Sequence, residues 1–161
     1  MNSDHPSVRK MWKNYLSSIG ETPENTLRTY SAWHFCNTQS AADELAVLVL
    51  RGEKSGTATS LWSIEAEGES LPCAGELSII TKWNGEAQCI IETVVVEIVP
   101  FKEVTADFAA TEGEGDKSLD YWRRVHKEVF TQELNEVGLK FSDEMPVLCE
   151  TFKVVWPLLS N

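Results

Sequence analysis

The chain has 161 residues, 42% of them hydrophobic and 24% charged, a composition typical of one globular domain and incompatible with wholesale disorder. Fourteen Lys and Arg residues oppose twenty-five Asp and Glu residues, giving a formal charge of −11. This balance argues against broad, non-specific binding to nucleic acid, although it leaves room for a small basic pocket.

The first two predicted elements are helices. Apolar residues recur every three or four positions over residues 8–19, and Gly20 follows as a typical C-terminal glycine. Residues 21–39 show no periodicity and are predicted to be irregular. Ser40 is predicted to cap a second helix, which ends at Gly52.

The middle of the chain is predicted to form strands. Residues 57–64 alternate between two classes of side chain and predict one strand, and residues 76–83 predict the next. The dipeptide Asn84-Gly85 is typical of a type I′ hairpin turn, because both residues tolerate positive φ. The partner strand covers residues 88–99, which are rich in Ile and Val.

The last third of the chain is predicted to contain two helices and one strand. A short helix is predicted over 105–110, a longer one carries its apolar face over 119–130, and a closing strand covers 148–155. Because the strands form runs with helices set apart, the pattern indicates an α+β fold with a mostly antiparallel, curved sheet.

Cysteine usage and hydropathy limit the other classes of function. The four cysteines form no C-x-x-C pair, so we expect buried free thiols and no zinc site. We also expect no other metal site and no cofactor. The longest apolar run, residues 45–50, is too short to cross a bilayer, and residues 1–13 contain no apolar signal region. We therefore expect a cytoplasmic protein without a membrane partner.

The turn at residues 52–59 is the first candidate for chemistry. Gly52 and Gly56 allow a sharp turn and leave space for a ligand to approach the backbone amides. Lys54 and Thr57 lie three residues apart, so their side chains can converge, and a lysine that burial keeps as the uncharged amine can act as the base for a threonine nucleophile. A solvated lysine beside a strand-initiating threonine is the alternative.

The acidic segment at residues 112–123 is the second candidate. Its alternating carboxylates and glycines suggest calcium, but Lys117 and Arg123 occupy the glycine and glutamate positions of the EF-hand template. A solvated loop accounts for most of the segment. Glu112 ends the short helix, and a carboxylate there can relay a proton or pair with Lys54.

Aromatic residues and one histidine complete the candidates. Tyr30 and Trp33 precede the glycine turn in a segment predicted to be a loop, where they can stack a nucleobase or simply pack in the core. His126 lies four residues from both Trp122 and Phe130, and we interpret it as a structural histidine.

Together these residues resemble the ASCH domain of the PUA-like superfamily. Residues 52–59 are similar to the family signature G-x-K-x-x-T-x-R, and the Glu-Gly-Glu-Gly-Asp run at 112–116 looks like that of longer bacterial members. The similarity runs from about residue 30 to residue 156. It implies a PUA-like, mostly antiparallel β-barrel with flanking helices, with the ASCH domain over 30–157 and an N-terminal helix and connector over 1–29.

The resemblance implies two functions. One branch of the family hydrolyses the acetyl amide of N4-acetylcytidine with a lysine, a threonine and a glutamate, which fall on Lys54, Thr57 and Glu112. In that scheme the threonine attacks the acyl carbon, the lysine takes its proton, and the glutamate positions or protonates the leaving amine. Other members bind or cleave single-stranded RNA.

We favour a hydrolase acting on an acylated pyrimidine nucleoside, with single-stranded RNA binding or cleavage as the alternative. The partner is accordingly a nucleoside-type small molecule or single-stranded RNA, and formation of a homodimer is left open. Thr59 stands where the signature has its final arginine, which removes a cation able to hold a phosphate or a base carbonyl. The predicted substrate-binding residues lie in the two candidate segments or are the aromatic residues of the predicted loop. They are Tyr30, Trp33, Thr59, Tyr121 and Arg123.

Overall fold

A computed structural model describes residues 5–158, and the chain divides into two compact units. The two units are built from alternating stretches of the sequence: unit 1 from Met1–Gly52, Gly75–Glu92 and Lys153–Asn161, and unit 2 from Glu53–Ala74 and Thr93–Phe152. Both candidate segments, the turn at 52–59 and the acidic run at 112–123, fall in unit 2 apart from Gly52.

Residues 5–158 contain five α-helices, one short 3₁₀ helix and five strands. The helices are α1 (Pro6–Ser18), α2 (Gln39–Leu50), α3 (Leu61–Glu67), α4 (Ala106–Glu112) and α5 (Leu119–Glu136), and the 3₁₀ helix covers Phe101–Glu103. The strands are β1 (Tyr30–Trp33), β2 (Gly56–Ser60), β3 (Leu77–Thr81), β4 (Ala87–Pro100) and β5 (Pro146–Trp156). No helix among these residues is both long enough and apolar enough to cross a bilayer.

The strands form one mixed sheet in the order β1-β3-β4-β5-β2. Strand β3 pairs antiparallel with β4, and β2 pairs antiparallel with β5, whereas β1 pairs parallel with β3. Over residues 5–158 the sheet has two ends, β1 and β2, and it is not closed into the predicted barrel. Closure needs hydrogen bonds between the terminal strands of a sheet, and that pairing is missing from the strand order.

Unit 1 is held together by α1 and the strands that it covers. The buried face of α1 includes Trp12 and Leu16, and it packs with Ile79 and Ile90 in one apolar cluster. Tyr30 belongs to the rim of the same cluster, with its ring centroid 4.6 Å from that of Trp12.

Residues 30–33 form a strand, which corrects the predicted loop around Tyr30 and Trp33. Their backbone pairs in parallel register with Leu77–Ile80, so main-chain hydrogen bonding defines the segment. A strand of four residues is too short to show a clear alternation of side chains, and its sequence therefore gave no sign of it.

The predicted strand over 57–64 is also corrected, because β2 ends at Ser60 and α3 begins at Leu61. The Ser60 hydroxyl caps α3 by accepting a hydrogen bond from the Ser63 amide at 3.3 Å. Gly68 ends the helix with a φ of 68°. The apparent alternation therefore joined a five-residue strand to the first turn of a helix.

Two local boundaries differ in detail. Thr38, rather than Ser40, caps α2, and its hydroxyl accepts from the Ala41 amide at 3.3 Å. The β3–β4 hairpin has a five-residue loop at 82–86, and of the dipeptide Asn84-Gly85 only the glycine has positive φ, at 89°. A type I′ turn needs positive φ at both residues, so the hairpin exists but its predicted turn type was wrong.

Unit 2 packs β2, β5, α4 and α5 around an aromatic core. The Phe101 ring lies 5.4 Å from Trp122 and 6.3 Å from Phe130, measured between centroids. Helix α4 begins after its cap Thr105, as predicted, and runs on to Glu112. Gly113 ends α4 with a φ of 68°, a conformation that glycine adopts without a Cβ penalty.

Candidate functional site

The turn before β2 is fastened to the end of α4 by backbone contacts. The Ser55 amide donates to the Thr111 carbonyl oxygen at 2.7 Å. Gly113 lies so close to the same turn that a Cβ at this position would be 2.1 Å from the carbonyl oxygen of Glu53. These contacts hold the Lys54 side chain against the C-terminal end of α4.

Lys54 is buried, with 2% of its surface exposed. Its Nζ donates to the Gly56 carbonyl oxygen at 2.9 Å, and it lies 3.1 Å from Glu114 Oε1 and 3.8 Å from Glu112 Oε1. A buried ammonium group is tolerated only when charged and hydrogen-bonding partners compensate its lost hydration, and these three acceptors do so. The structure thus brings Lys54 and Glu112 together.

The Glu112 carboxylate joins Lys54 to helix α5. Its Oε2 lies 2.9 Å from His126 Nε2 and accepts a hydrogen bond from the Trp122 indole. Burial alone would raise the pKa of Glu112, but the hydrogen bond from His126 and the charge of Lys54 hold this pKa below its ordinary value. Glu112 is therefore an ionised carboxylate at neutral pH.

His126 is the third member of the group. Its ring stacks on that of Trp122, with centroids 4.2 Å apart and an interplanar angle of 15°, and its Nδ1 lies 2.9 Å from the Trp122 carbonyl oxygen. Burial alone would lower the pKa of His126, but the hydrogen bond and charge of Glu112 raise this pKa above its ordinary value. We refer to Lys54, Glu112 and His126 as the buried ion cluster.

The buried ion cluster predicts how stability depends on pH. The pKa of His126 is raised on folding. The stability that this ion pair contributes through His126 is therefore complete below pH 6.5 and is lost as pH rises through the folded-state pKa. The pKa of Glu112 is lowered on folding. The stability contributed through Glu112 is therefore present above pH 4.5 and is lost as pH falls through the folded-state pKa. The free energies of unfolding of wild type and His126→Gln, measured with urea, should therefore differ most between pH 4.5 and pH 6.5. A difference that stays constant from acid to alkaline pH would contradict the ion pair.

Thr57 lies on the other face of β2. The next residue, Ala58, and its strand partner Cys149 pack in the core of unit 2. Because successive side chains of a strand alternate, Thr57 and its partner Glu150 point away from that core. Thr57 is half-buried, and within residues 5–158 its hydroxyl forms no hydrogen bond. Glu150 Oε1 accepts a hydrogen bond from Thr93 Oγ1 at 2.5 Å.

The other predicted residues of unit 2 lie outside the buried ion cluster. Thr59 is half-buried on the same face of β2 as Thr57. The Tyr121 ring covers Gly115 so closely that a Cβ there would be 2.3 Å from it. Arg123 is exposed and donates to the Lys102 carbonyl oxygen at 3.3 Å. Their roles in substrate binding remain predictions.

Tyr30 and Trp33 belong to unit 1, where both are half-buried in β1. Tyr30 packs on Trp12, and the Trp33 ring meets Phe35 edge-on at 4.8 Å between centroids. The alternative of ordinary packing thus accounts for the Tyr30 ring. A role for either ring in binding a nucleobase remains a prediction.

Two of the four cysteines, Cys89 and Cys149, are buried. Burial raises the pKa of Cys89 and of Cys149 to about 12, so neither thiol ionises readily to a nucleophile. Within the described chain, no group of three His, Cys, Asp or Glu side chains is placed to hold a metal ion.

Three contacts of this region are not predicted from the sequence. His126 is predicted to be a structural histidine, without Glu112 as its partner. Glu114 belongs to the segment predicted to be a solvated loop, and Glu150 belongs to the predicted closing strand. A usable signal for Glu150 exists, because it places a carboxylate directly after the apolar residues 147–149 of a predicted strand.

The chain is similar to one protein family and to proteins of known structure. A family profile described as the ASCH domain matches residues 31–156. The crystal structure of an ASCH domain from Lactobacillus crispatus JV V101 is 38% identical with a TM-score of 0.83, covering 91% of this chain and 92% of that one. A crystal structure from Enterococcus faecalis V583 is 33% identical with a TM-score of 0.81, covering 92% of this chain and 88% of that one.

No protein with a curated functional description matches the sequence. The two structural likenesses support the PUA-like fold expected from the signature residues, with an open sheet in place of a closed barrel. This chain belongs to the ASCH domain family.

Proposed function

We propose that this ASCH domain hydrolyses the acyl amide of an acylated pyrimidine nucleoside such as N4-acetylcytidine. The observation that carries the proposal is the Thr57 hydroxyl, which is half-buried and makes no hydrogen bond within residues 5–158. It follows directly on the turn anchored by the buried ion cluster. A hydroxyl held on a rigid strand is suited to attack an acyl carbon, because little ordering remains to be done in the transition state.

The reaction has two halves. Thr57 Oγ forms a bond to the acyl carbon as its proton leaves, and the carbon–nitrogen bond then breaks to release the pyrimidine amine with a proton. Water attacks the resulting ester, which releases the carboxylic acid and restores the hydroxyl.

The contacts of Lys54 favour a positioning role over the role of proton acceptor. An ammonium ion has no lone pair with which to accept a proton. Its Nζ already faces the Gly56 carbonyl oxygen and two carboxylates. In the proposal, Lys54 and Glu112 fix the turn from which Thr57 projects, and His126 supports Glu112.

The charge distribution supports a small, uncharged substrate. Unit 2 has seventeen acidic and seven basic residues, a formal charge of −10, whereas unit 1 has eight and seven, a formal charge of −1. A polyanion approaching unit 2 is repelled at long range, whereas a neutral nucleoside needs no basic surface.

Recognition of single-stranded RNA is the second candidate, and one observation favours it. In unit 1, which is nearly neutral, the Trp83 side chain is 43% exposed and its ring lies 4.9 Å from that of His34. Exposed aromatic rings are the platforms on which unpaired bases stack. The ASCH resemblance implies the same activity.

The test is to incubate the protein with N4-acetylcytidine and follow the release of cytidine by chromatography. We expect turnover by wild type and a loss of at least about a thousandfold in Thr57→Val, because the nucleophile is removed. Thr131→Val is the matched control, since Thr131 is a half-buried helix residue whose hydroxyl donates to the Lys127 carbonyl oxygen of its own helix. Turnover by Thr57→Val within a few-fold of wild type would contradict the proposal.

A second arm of the experiment separates the two candidate functions. Binding of single-stranded RNA is measured at several salt concentrations, where each neutralised phosphate contributes a log–log slope of about −0.7. RNA binding with such a slope, together with no release of cytidine, would favour the RNA candidate. For the nucleoside we expect affinity that hardly changes with salt.

A further inference from the structure

We infer that Glu150 is the general base that takes the proton of Thr57, an inference that rests on the proposed function. The two residues are direct partners in the antiparallel pairing of β2 with β5. Directly opposed residues place their Cβ atoms about 4.5–5.5 Å apart on one face of the sheet. A glutamate side chain at that separation can bring its carboxylate within hydrogen-bonding distance of the threonine hydroxyl.

The surroundings of Glu150 suit this role. Its surface is 9% exposed, and the Thr93 hydroxyl, on a residue 2% exposed, donates to Oε1 at 2.5 Å. This hydrogen bond restricts the orientation of the carboxylate, which reduces the entropy lost when a proton is transferred. An ionised carboxylate can only accept hydrogen bonds, whereas the Thr57 hydroxyl can donate one, so the two groups are complementary.

Glu150 also completes the proton balance of the reaction. The carboxylate takes the proton from Thr57 Oγ as the oxygen–carbon bond forms, and the protonated acid gives it to the amide nitrogen as the carbon–nitrogen bond breaks. In the second half, Glu150 takes a proton from the attacking water and returns it to Thr57 Oγ as the ester is cleaved. One water is consumed, and the enzyme ends unchanged.

The test compares Glu150→Gln and Glu150→Asp with wild type on N4-acetylcytidine. We expect Glu150→Gln to lower kcat by about 10²–10⁴-fold, the range of general base catalysis, with KM changed less than about threefold. Glu150→Asp keeps a carboxylate and should recover part of that loss. Glu92→Gln is the matched control, because Glu92 is a partly exposed carboxylate of β4 near Lys153, and its kcat should equal that of wild type.

A second readout is independent of the nucleoside. Thr57 is acylated with p-nitrophenyl acetate, and the acetylated peptide is quantified by mass spectrometry after a fixed time. We expect acetylation of Thr57 in wild type and in Glu92→Gln, and a loss of at least about a hundredfold in its rate in Glu150→Gln. Thermal unfolding of each variant confirms that it is folded at the assay temperature.

The outcomes separate the two proposals. If wild type hydrolyses N4-acetylcytidine and Glu150→Gln retains its kcat within threefold, the inference is overturned and the proposed function stands. If wild type releases no cytidine, the proposed function fails, and acetylation decides the inference. Acetylation of Thr57 that depends on Glu150 then supports a general base acting on another acyl substrate, and acetylation that is absent or independent of Glu150 overturns it.

Discussion

Replacing Lys54 with methionine is expected to lower the free energy of unfolding by about 3–5 kcal/mol, the usual cost of breaking a buried ion pair by removing one partner. Methionine fills a similar volume, so the loss comes from the charge. Without the ammonium group, the buried carboxylate of Glu112 loses one of its two cationic neighbours, and Glu114 loses its contact at 3.1 Å. The measurement is urea unfolding at neutral pH, followed by tryptophan fluorescence.

Lys82→Met is the matched control, because Lys82 pairs with Glu86 at 3.5 Å on the surface, where their side chains are 36% and 46% exposed. Such a pair contributes about 0–1 kcal/mol. The double variant of Lys54→Met with Glu112→Gln should recover part of the loss, since the buried carboxylate of Glu112 is then no longer left without its lysine partner. A loss below about 1 kcal/mol for Lys54→Met alone would show that the cluster does not anchor the turn.

Local signals in the sequence predicted most of the helices and strands. Helix ends at Gly20 and Gly113 could be predicted because glycine conformations and helix caps are decided within a few residues. The strand at Tyr30–Trp33 could not, because its four residues are defined by pairing with residues 77–80, far along the chain. Helix α3 could not be predicted for a different reason, because the side chains of its first turn continue the alternation of β2 by chance.

In the site, too, the contacts that depend on local sequence could be predicted, and those that depend on long-range packing could not. The contact of Lys54 with Glu112 was anticipated from their positions in two dense segments, and the separation of 3.8 Å agrees with it. The alternation of side chains in β2 is visible in the sequence, but the sequence does not show which set of side chains faces the core. Because Ala58 faces the core, Thr57 lies on the opposite face of β2 from Glu112. His126 reaches Glu112 only because α5 packs against α4, which no residue spacing encodes.

The anchored turn explains why the acidic segment carries its glycines. Gly113 allows the end of α4 to approach the Glu53 carbonyl, and Gly115 leaves room for the Tyr121 ring. The Glu-Gly-Glu-Gly-Asp run therefore combines two carboxylates that face Lys54 with two positions where a side chain would not fit. This arrangement makes the backbone at 113 as important for the site as the charged groups beside it.

Gly113→Ala is accordingly expected to lower the free energy of unfolding by about 2–5 kcal/mol. A left-handed conformation costs a non-glycine residue about 1–2 kcal/mol, and Gly113 has a φ of 68°. The new Cβ would also lie 2.1 Å from the Glu53 carbonyl oxygen and 3.1 Å from Lys54 Cα, and relieving such overpacking costs about 1–3 kcal/mol more. Because these neighbours are backbone atoms, no side-chain rotation can relieve the clash.

Gly68→Ala measures the first contribution, the backbone strain, by itself. Gly68 also ends a helix with a φ of 68°, but a Cβ there would meet nothing within 4 Å, so only the backbone conformation is strained. Its loss should be about 1–2 kcal/mol. The difference between the two variants measures the contact between the end of α4 and the turn that carries Lys54. If urea unfolding gave equal losses for both, the turn would be free to move away from α4, and the anchoring of Thr57 through the buried ion cluster would have to be abandoned.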